Sequence, residues 1–333
     1  MKLATLREGG RDGTLIVIDQ FGDRGVKVPD IAPTLQAALD DWAHKESQLR
    51  SVYRLLNQGK APEAFALNIQ QLAASLPRAY QFLDGSAYLP HVERVRKARG
   101  ADMPPSMLTD PLMYQGVSDH FLAPTDPITI ISEEHGADFE AEVAVITDDV
   151  PMGISPEIAR EHIKLICLIN DVSLRYLAPD ELAKGFGFLH AKPASAMTPS
   201  VITPDELGEA WDGGKILLPV TVKWNGEIFG QPNAGKDMQF DFGQLIAHAA
   251  KTRDLKAGTL IGGGTVSNAD MSHGFACIAE KRIVEKLEKG KAETGFLKAG
   301  DKVRIEMLDE SGHSVFGPID QRVRLYQRVE DAA

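Results

Sequence analysis

The sequence predicts a mixed, β-rich α/β fold. A compact β-roll with peripheral helices is preceded by a small β-rich N-terminal domain. Three observations point there. Short apolar segments separated by Gly-rich turns crowd the start of the chain. A hairpin signal and further strand-like segments mark the C-terminal half. Long alternation of strand and helix is absent, as is any repeat, which argues against a doubly wound sheet.

The elements follow in order. KLATL, TLIVID and GVKVP read as short strands. A helical stretch runs from about Thr34 to Leu56 and ends near Gly59, and Leu72 to Leu83 reads as a second short helix. RKARGADMPPS, residues 96–106, is polar and holds two prolines, so a boundary falls there. Residues 1–100 are then the small domain and 101–333 the large one. SPEIAREHIKLICLI begins like a helix, with Ser155 as N-cap and Pro156 in the first turn. KILLPVTVKW, Asn225-Gly226 and EIFGQ read as a hairpin, in which Pro219 implies an edge or a bulge. Asp241 and Gln244 have capping-box spacing ahead of an apolar helical face. KVRIEML and SVFGPI read as late strands.

Composition narrows the function. With 333 residues the chain can bury a large core, and 43% apolar with 25% charged residues is ordinary for a soluble globular protein. Lys and Arg total 36 against 47 Asp and Glu, a net charge of −11, which argues against a nucleic-acid or anionic-membrane partner. No apolar run reaches the about 18 residues a membrane span needs, and MKLATLREGGRDG is no signal segment. Cys167 and Cys277 form neither CxxC nor a disulfide scaffold, so the cytoplasm is the expected compartment.

The chemistry begins with DFEAEVAVI, Asp138 to Ile146. Strand alternation puts Glu140, Glu142 and Ala144 on one face. Two carboxylates on one face are either a solvated surface or a site for a hard cation that relieves their repulsion. Asp171, directly after the apolar helical run KLICLIN, is the candidate third carboxylate or else a terminus residue. Lys192 in FLHAKPAS is a surface lysine or the partner of a substrate oxyanion. His120 has the pKa of a general base, or is structural, and Asp119 beside it competes for the role. Tyr114 and Gln115 are candidates for binding substrate oxygens, or turn packing. In IGGGTVSNAD, Thr265 is a candidate carboxylate binder or part of a tight turn; the segment is neither GxGxxG nor a P-loop. HExxH and GxSxG are absent. His44, His91, His162, His248, His273 and His313 form no compact ligand pattern and receive no role.

Taken together, YQG and DH, DFEAEVAVI, INDVSLR, FLHAKP and GGGTVS, in that order, resemble the fumarylacetoacetate hydrolase family over most of residues 105–323. The opening MKLATLREGGRDGTLIVI resembles the N-terminal domain of the bacterial two-domain fumarylacetoacetases. The resemblance implies a C-terminal β-roll, a homodimer and a divalent cation, Mg2+ or Ca2+ with Mn2+ a further option. It implies Glu140, Glu142 and Asp171 as metal ligands, with an upstream acid for which Asp110 is the candidate and Asp119 its rival. It implies Lys192 at the developing enolate, Thr265 at the substrate carboxylate and Tyr114 at the substrate. It implies His120, oriented by Glu280, as the water-activating base. Two departures are visible: the NYxxHxxE-like stretch of smaller relatives is missing, and Asn268 stands where the family has glycine after GTxS.

The expected activity is metal-dependent hydrolysis of a C–C bond in a small anionic 1,3-diketo acid. Fumarylacetoacetate, an intermediate of tyrosine degradation, is the leading substrate. Acylpyruvate hydrolysis, β-keto-acid decarboxylation and isomerisation are alternatives within the family. A catalytically silent metal- or metabolite-binding protein is the alternative outside enzymes.

Overall fold

The computed structural model describes residues 1–98, 100 and 102–327. Residues 99, 101 and 328–333, which include part of the expected boundary and the expected end of the large domain, lie outside the described residues. One large sheet runs through the molecule. Its strands lie in the order Phe65–Ala66, Arg24–Lys27, Thr14–Ile18, Lys2–Leu6, Ser200–Ile202, Ile163–Asn170, Ala141–Thr147, Thr259–Gly262, Gln81–Gly85 and Met113–Gly116. The N-terminal strands join it where Leu3 faces Val201. Neighbours are antiparallel except Thr259–Gly262 beside Gln81–Gly85. A second sheet orders Glu227–Gly230, Val220–Trp224, Lys302–Met307, Ile319–Leu325 and Ile128–Ile130.

The large sheet is buried on both faces at its centre. Ala141, Val143 and Val145 enter one apolar core, together with Ile166 and Ile261. Ala144 and Ile146 point the opposite way into a second core, with Leu165, Cys167 and Leu260. Trp42, Leu49 and Leu56 of the helix Trp42–Asn57 close that second core. The alternation is the period-2 pattern of a strand, with both faces covered.

Local signals set several elements. Asn225 and Gly226 both take positive φ, 53° and 90°, as the two-residue hairpin turn requires. Pro219 sits just outside the strand, and the register shifts between Val222 and Lys223. Asp241 and Gln244 form the full capping box of Phe242–Ala249. The expected helix from Thr34 is two helices, Leu35–Leu39 and Trp42–Asn57.

Three expectations are corrected. KLICLIN is not helical: after one turn of helix at Pro156–Ala159, Ile163–Asn170 is a central strand with neighbours on both sides. Its unbroken apolar run suits either a buried strand or a buried helix, and tertiary pairing decides. Leu72 to Leu83 forms no helix. Ala73 N donates to Thr5 O, the chain bends over residues 75–78 around Pro77, and the strand Gln81–Gly85 begins. In SVFGPI the strand starts only at Ile319, after Pro318.

Ile166 is fully buried at the sheet centre. Ile166→Ala is expected to lower unfolding free energy by about 2–5 kcal/mol in a denaturant titration. A loss below about 1 kcal/mol would contradict the packed two-faced sheet.

Candidate active site

The centre of the large sheet switches abruptly from apolar to acidic. Glu140 and Glu142 are 5% and 0% exposed, so neither is a solvated surface group. Asp171 follows the neighbouring strand, and its N–H donates to Glu140 O at 3.0 Å. Asp84, on Gln81–Gly85, faces Gly262 on one side and Tyr114 on the other. A Cβ at position 262 would lie 2.2 Å from Asp84 Oδ1, so only glycine admits that carboxylate. Gly264 N–H donates to the same oxygen at 3.1 Å.

One oxygen each from Asp84, Glu142 and Asp171 lies within 4.8 Å of the others, and all three residues are buried. Burial and the charge of Asp171 push Asp84 up to about 8. Burial, Asp84 and Asp171 raise Glu142 well above the carboxylate range. Glu142 Oε2 is buried with no hydrogen-bond partner in the described protein. An orphaned acceptor within a repelling, all-oxygen cluster fits a hard divalent cation of the Mg2+, Ca2+ or Mn2+ type.

Glu140 turns away from that trio. Lys192 Nζ, Arg175 Nη2 at 2.7 Å and Ser173 Oγ at 3.2 Å all donate to its carboxylate. Burial alone would raise Glu140, but Arg175 and Lys192 reverse the sign and hold it far below its ordinary value. Lys192 Nζ also donates to Asp171 Oδ2 at 2.6 Å, as does Tyr114 Oη. Burial opposes the charge of Lys192; Asp171, Glu140 and Glu142 outweigh it and raise the ammonium. Arg175 Nε reaches Asp138 Oδ2 at 2.8 Å. Asp138 in turn accepts from Ile278 N and Ala279 N at 2.7 and 2.9 Å, at the start of the helix Ile278–Lys289.

That helix carries Glu280. Its Oε2 pairs with His91 Nδ1 at 2.8 Å, and its Oε1 accepts from Ser267 Oγ at 2.7 Å and from Arg94. Burial would raise Glu280, but His91, Ser267 and Arg94 hold it below the usual range. An ionised carboxylate only accepts, so His91 Nδ1 is the donor of this pair and Nε2 is the ring nitrogen not engaged by Glu280. His91 lines a cavity of about 160 Å³ with Asp84, Glu142, Tyr114, Lys192 and Thr265. Phe188 forms another wall, edge-on to Tyr114 at 5.1 Å between ring centroids. A candidate general base and a candidate cation site therefore open on one space.

Of the residues singled out in the sequence, Glu140, Glu142, Asp171, Lys192, Tyr114 and Thr265 converge here. Thr265 Oγ1 lies 3.5 Å from Glu142 Oε1. Four others are placed elsewhere. Asp110 is exposed and lies 3.4 Å from His248 Nδ1. Asp119 and His120 are exposed, in a loop fixed by Ser118 O and Phe121 N to Ala79 and Pro77. Gln115 is exposed on its strand because alternation turns it away from Tyr114. The expected pairing of His120 with Glu280 is corrected: His91 pairs with Glu280, and Asp84 rather than Asp110 lies with Glu142 and Asp171. Asp84 closes the apolar run QFL and precedes His91 by seven residues, a signal hidden by reading that segment as helix. Arg175 and Arg94 were also missed. Asn268, the departure after GTVS, ties its loop to Asn233 O and Lys236 O at 3.0 and 2.9 Å.

A family model described as "Fumarylacetoacetate (FAA) hydrolase C-terminal" matches residues 81–324, and one described as "Fumarylacetoacetase N-terminal domain 2" matches residues 1–78. The chain is 27% identical over 160 residues to a 2,4-didehydro-3-deoxy-L-rhamnonate hydrolase of Sphingomonas sp. (strain SKA58), covering 47% of this chain and 53% of that one. It is 27% identical over 206 residues to the mitochondrial oxaloacetate tautomerase fahd2 of Xenopus laevis, covering 61% and 56%. The chain thus spans just over half the length of these relatives. Maleylpyruvate hydrolase from Sphingobium sp. SYK-6, solved with manganese(II) and pyruvate, shares the fold. Its TM-score is 0.65 at 16% identity, with 98% of this chain and 100% of that chain covered.

The raised Asp84 gives two linked expectations. The folded carboxyl keeps a proton that the unfolded chain, at its ordinary 3.8, has released. Metal-free stability contributed by this group therefore falls as pH rises toward about 8. Melting of the metal-free protein minus that of Asp84→Asn should decline from about pH 5 to about pH 8. A flat difference would contradict the raised carboxyl. Cation affinity should rise over the same range, with proton release measurable by calorimetry in two buffers, and Asp84→Asn should weaken it more than about tenfold.

Proposed function

Because the chain belongs to the fumarylacetoacetate hydrolase family, we propose that it is a divalent-cation-dependent hydrolase cleaving a C–C bond in a small 1,3-diketo acid. Fumarylacetoacetate, giving fumarate and acetoacetate, is the leading substrate. One observation carries the reading: Asp84 and Glu142 of the Asp84–Glu142–Asp171 cluster line the same cavity as the Glu280-oriented His91. A decarboxylase or tautomerase has no need to activate water for attack on a carbonyl; a hydrolase does.

Asp84, Glu142 and Asp171 would hold the cation, with Glu140 beside them. When bound, the cation supplies Lewis-acid polarisation of the substrate's oxygens and neutralises developing charge. His91 Nε2 takes a proton from water, and the resulting hydroxide attacks a substrate carbonyl carbon. Glu280 stabilises the imidazolium and keeps the ring oriented. The C–C bond then breaks, and its electron pair forms the enolate of the departing methylene ketone. Lys192, a buried ammonium, stabilises that negative oxygen. The proton from His91 returns to the enolate carbon, which balances water in against acid and ketone out. Thr265 and Tyr114 orient the substrate through their hydroxyls.

A second reading, hydrolysis of an acylpyruvate, draws support from the small cavity, about 160 Å³, and from the fold shared with maleylpyruvate hydrolase. The homodimer and a place in tyrosine degradation belong to the proposal and rest on the family resemblance; the cytoplasmic setting belongs to it too and rests on the sparse, unpaired cysteines.

Authentic fumarylacetoacetate incubated with Mg2+, Mn2+ or Ca2+ is expected to yield fumarate and acetoacetate, and a chelator to stop the reaction. Absence of turnover at confirmed metal occupancy would sink the leading substrate, and acylpyruvates would then test the second reading. His91→Gln should lower kcat by about 10²–10⁴-fold, whereas His120→Gln should stay within about twofold of the parent. The reverse order would return the base to His120.

A further inference from the structure

Arg94 lies three residues after His91 on the helix Leu89–Ala98, so both side chains leave the same face. They divide one carboxylate between them. Glu280 Oε2 faces His91 Nδ1, and Glu280 Oε1 accepts from Arg94 Nη1. Arg94 reaches further than this pair. Nη1 also donates to Ser267 Oγ at 3.0 Å, and Nη2 donates to Asn268 O at 2.8 Å and Ala269 O at 3.0 Å. The Arg94 side chain is 14% exposed and is not among the groups lining the cavity. Its bonds nonetheless reach the acid that orients the base and the loop following Thr265.

We propose that Arg94 is a positioning residue of the hydrolytic reaction: it shares the charge of Glu280 with His91 and locks the Ser267–Ala269 loop, so that His91 Nε2 meets water unprotonated. The inference rests on the hydrolytic reading of the site. Its logic is electrostatic. A buried carboxylate that faces only an imidazole stabilises the imidazolium, and an imidazolium cannot accept a proton from water. A guanidinium on the second oxygen weakens that pull while keeping the carboxylate ionised and its orientation fixed. The charged and titratable groups around the pair are consistent with this. Arg94 is the cation bonded to Glu280 besides the imidazole; Cys277 lies at the start of Glu280's own helix, and Glu140 acts on His91 from the sheet. The fork matters as much as the charge, because it holds the backbone three and four residues beyond Thr265.

The test compares Arg94→Met with Arg94→Lys in the metal-loaded protein. Kinetics would use whichever diketo acid the parent turns over. Nitrogen-15 NMR of the imidazoles, with the His91 signals assigned from His91→Gln, reads the ring without any substrate. Arg94→Met is expected to lower kcat roughly tenfold or more with KM within about twofold, and to shift His91 toward the doubly protonated ring at neutral pH. Arg94→Lys, which keeps the charge, should recover most of kcat and the parental His91 spectrum. If Arg94→Met fails to fold, Arg94→Gln replaces it with the same expectation. A kcat within about twofold of the parent, or Met and Lys variants equally impaired with His91 unchanged, would overturn the proposal. If the parent turns over no diketo acid, the hydrolytic reading fails by itself, and the NMR comparison still decides whether Arg94 controls His91.

Discussion

Three carboxylates forced together at the dry centre of a sheet are the constraint around which the rest of the structure is arranged. Asp84, Glu142 and Asp171 come from three strands or strand ends that meet only because the sheet forms. Their repulsion works against folding, and the apolar packing of Ala141–Thr147, Ile163–Asn170 and Thr259–Gly262 must outweigh it. The neighbourhood is built to hold them. Gly262 makes room for Asp84, Gly264 donates an N–H, and Ser195 and Tyr114 donate hydroxyls to Asp171. What remains unsatisfied, Glu142 Oε2, lies where a cation's positive charge would be most useful.

The positive groups form a chain that links the two halves of the site. Lys192 bridges Asp171 and Glu140; Arg175 bridges Glu140 and Asp138. Asp138 then caps the helix whose third residue is Glu280, the partner of His91. The cation-side carboxylates are thus joined by an unbroken run of side-chain bonds to the helix that carries Glu280. Such continuity keeps reacting groups in register better than independent loops would.

Where sequence reading succeeded and failed follows from the range of the signal. The hairpin at Asn225-Gly226 and the capping box at Asp241 and Gln244 were legible because local backbone demands specify them. KLICLIN was misread because a run buried on both faces has no period to separate strand from helix. The same kind of error hid Asp84: with Leu72 to Leu83 taken as helix, the strand that presents its carboxylate had no place. His91 was passed over because its partner, Glu280, lies 189 residues away.

By itself the sequence determined that two glutamates alternate on a strand, that Asp171, Lys192 and Thr265 recur with them in a family order, and that the protein is a β-rich enzyme-like chain of net charge −11. These follow from side-chain alternation, composition and motif order, which are properties of short segments. Tertiary structure alone decided which upstream acid joins the cluster and which histidine serves Glu280. Asp84 rather than Asp110, and His91 rather than His120, were chosen by long-range pairing: a parallel strand register sets Asp84 against Gly262, and helix packing brings His91 to Glu280. No spacing along the chain encodes either contact, because each depends on elements that become neighbours only when the two-faced core forms.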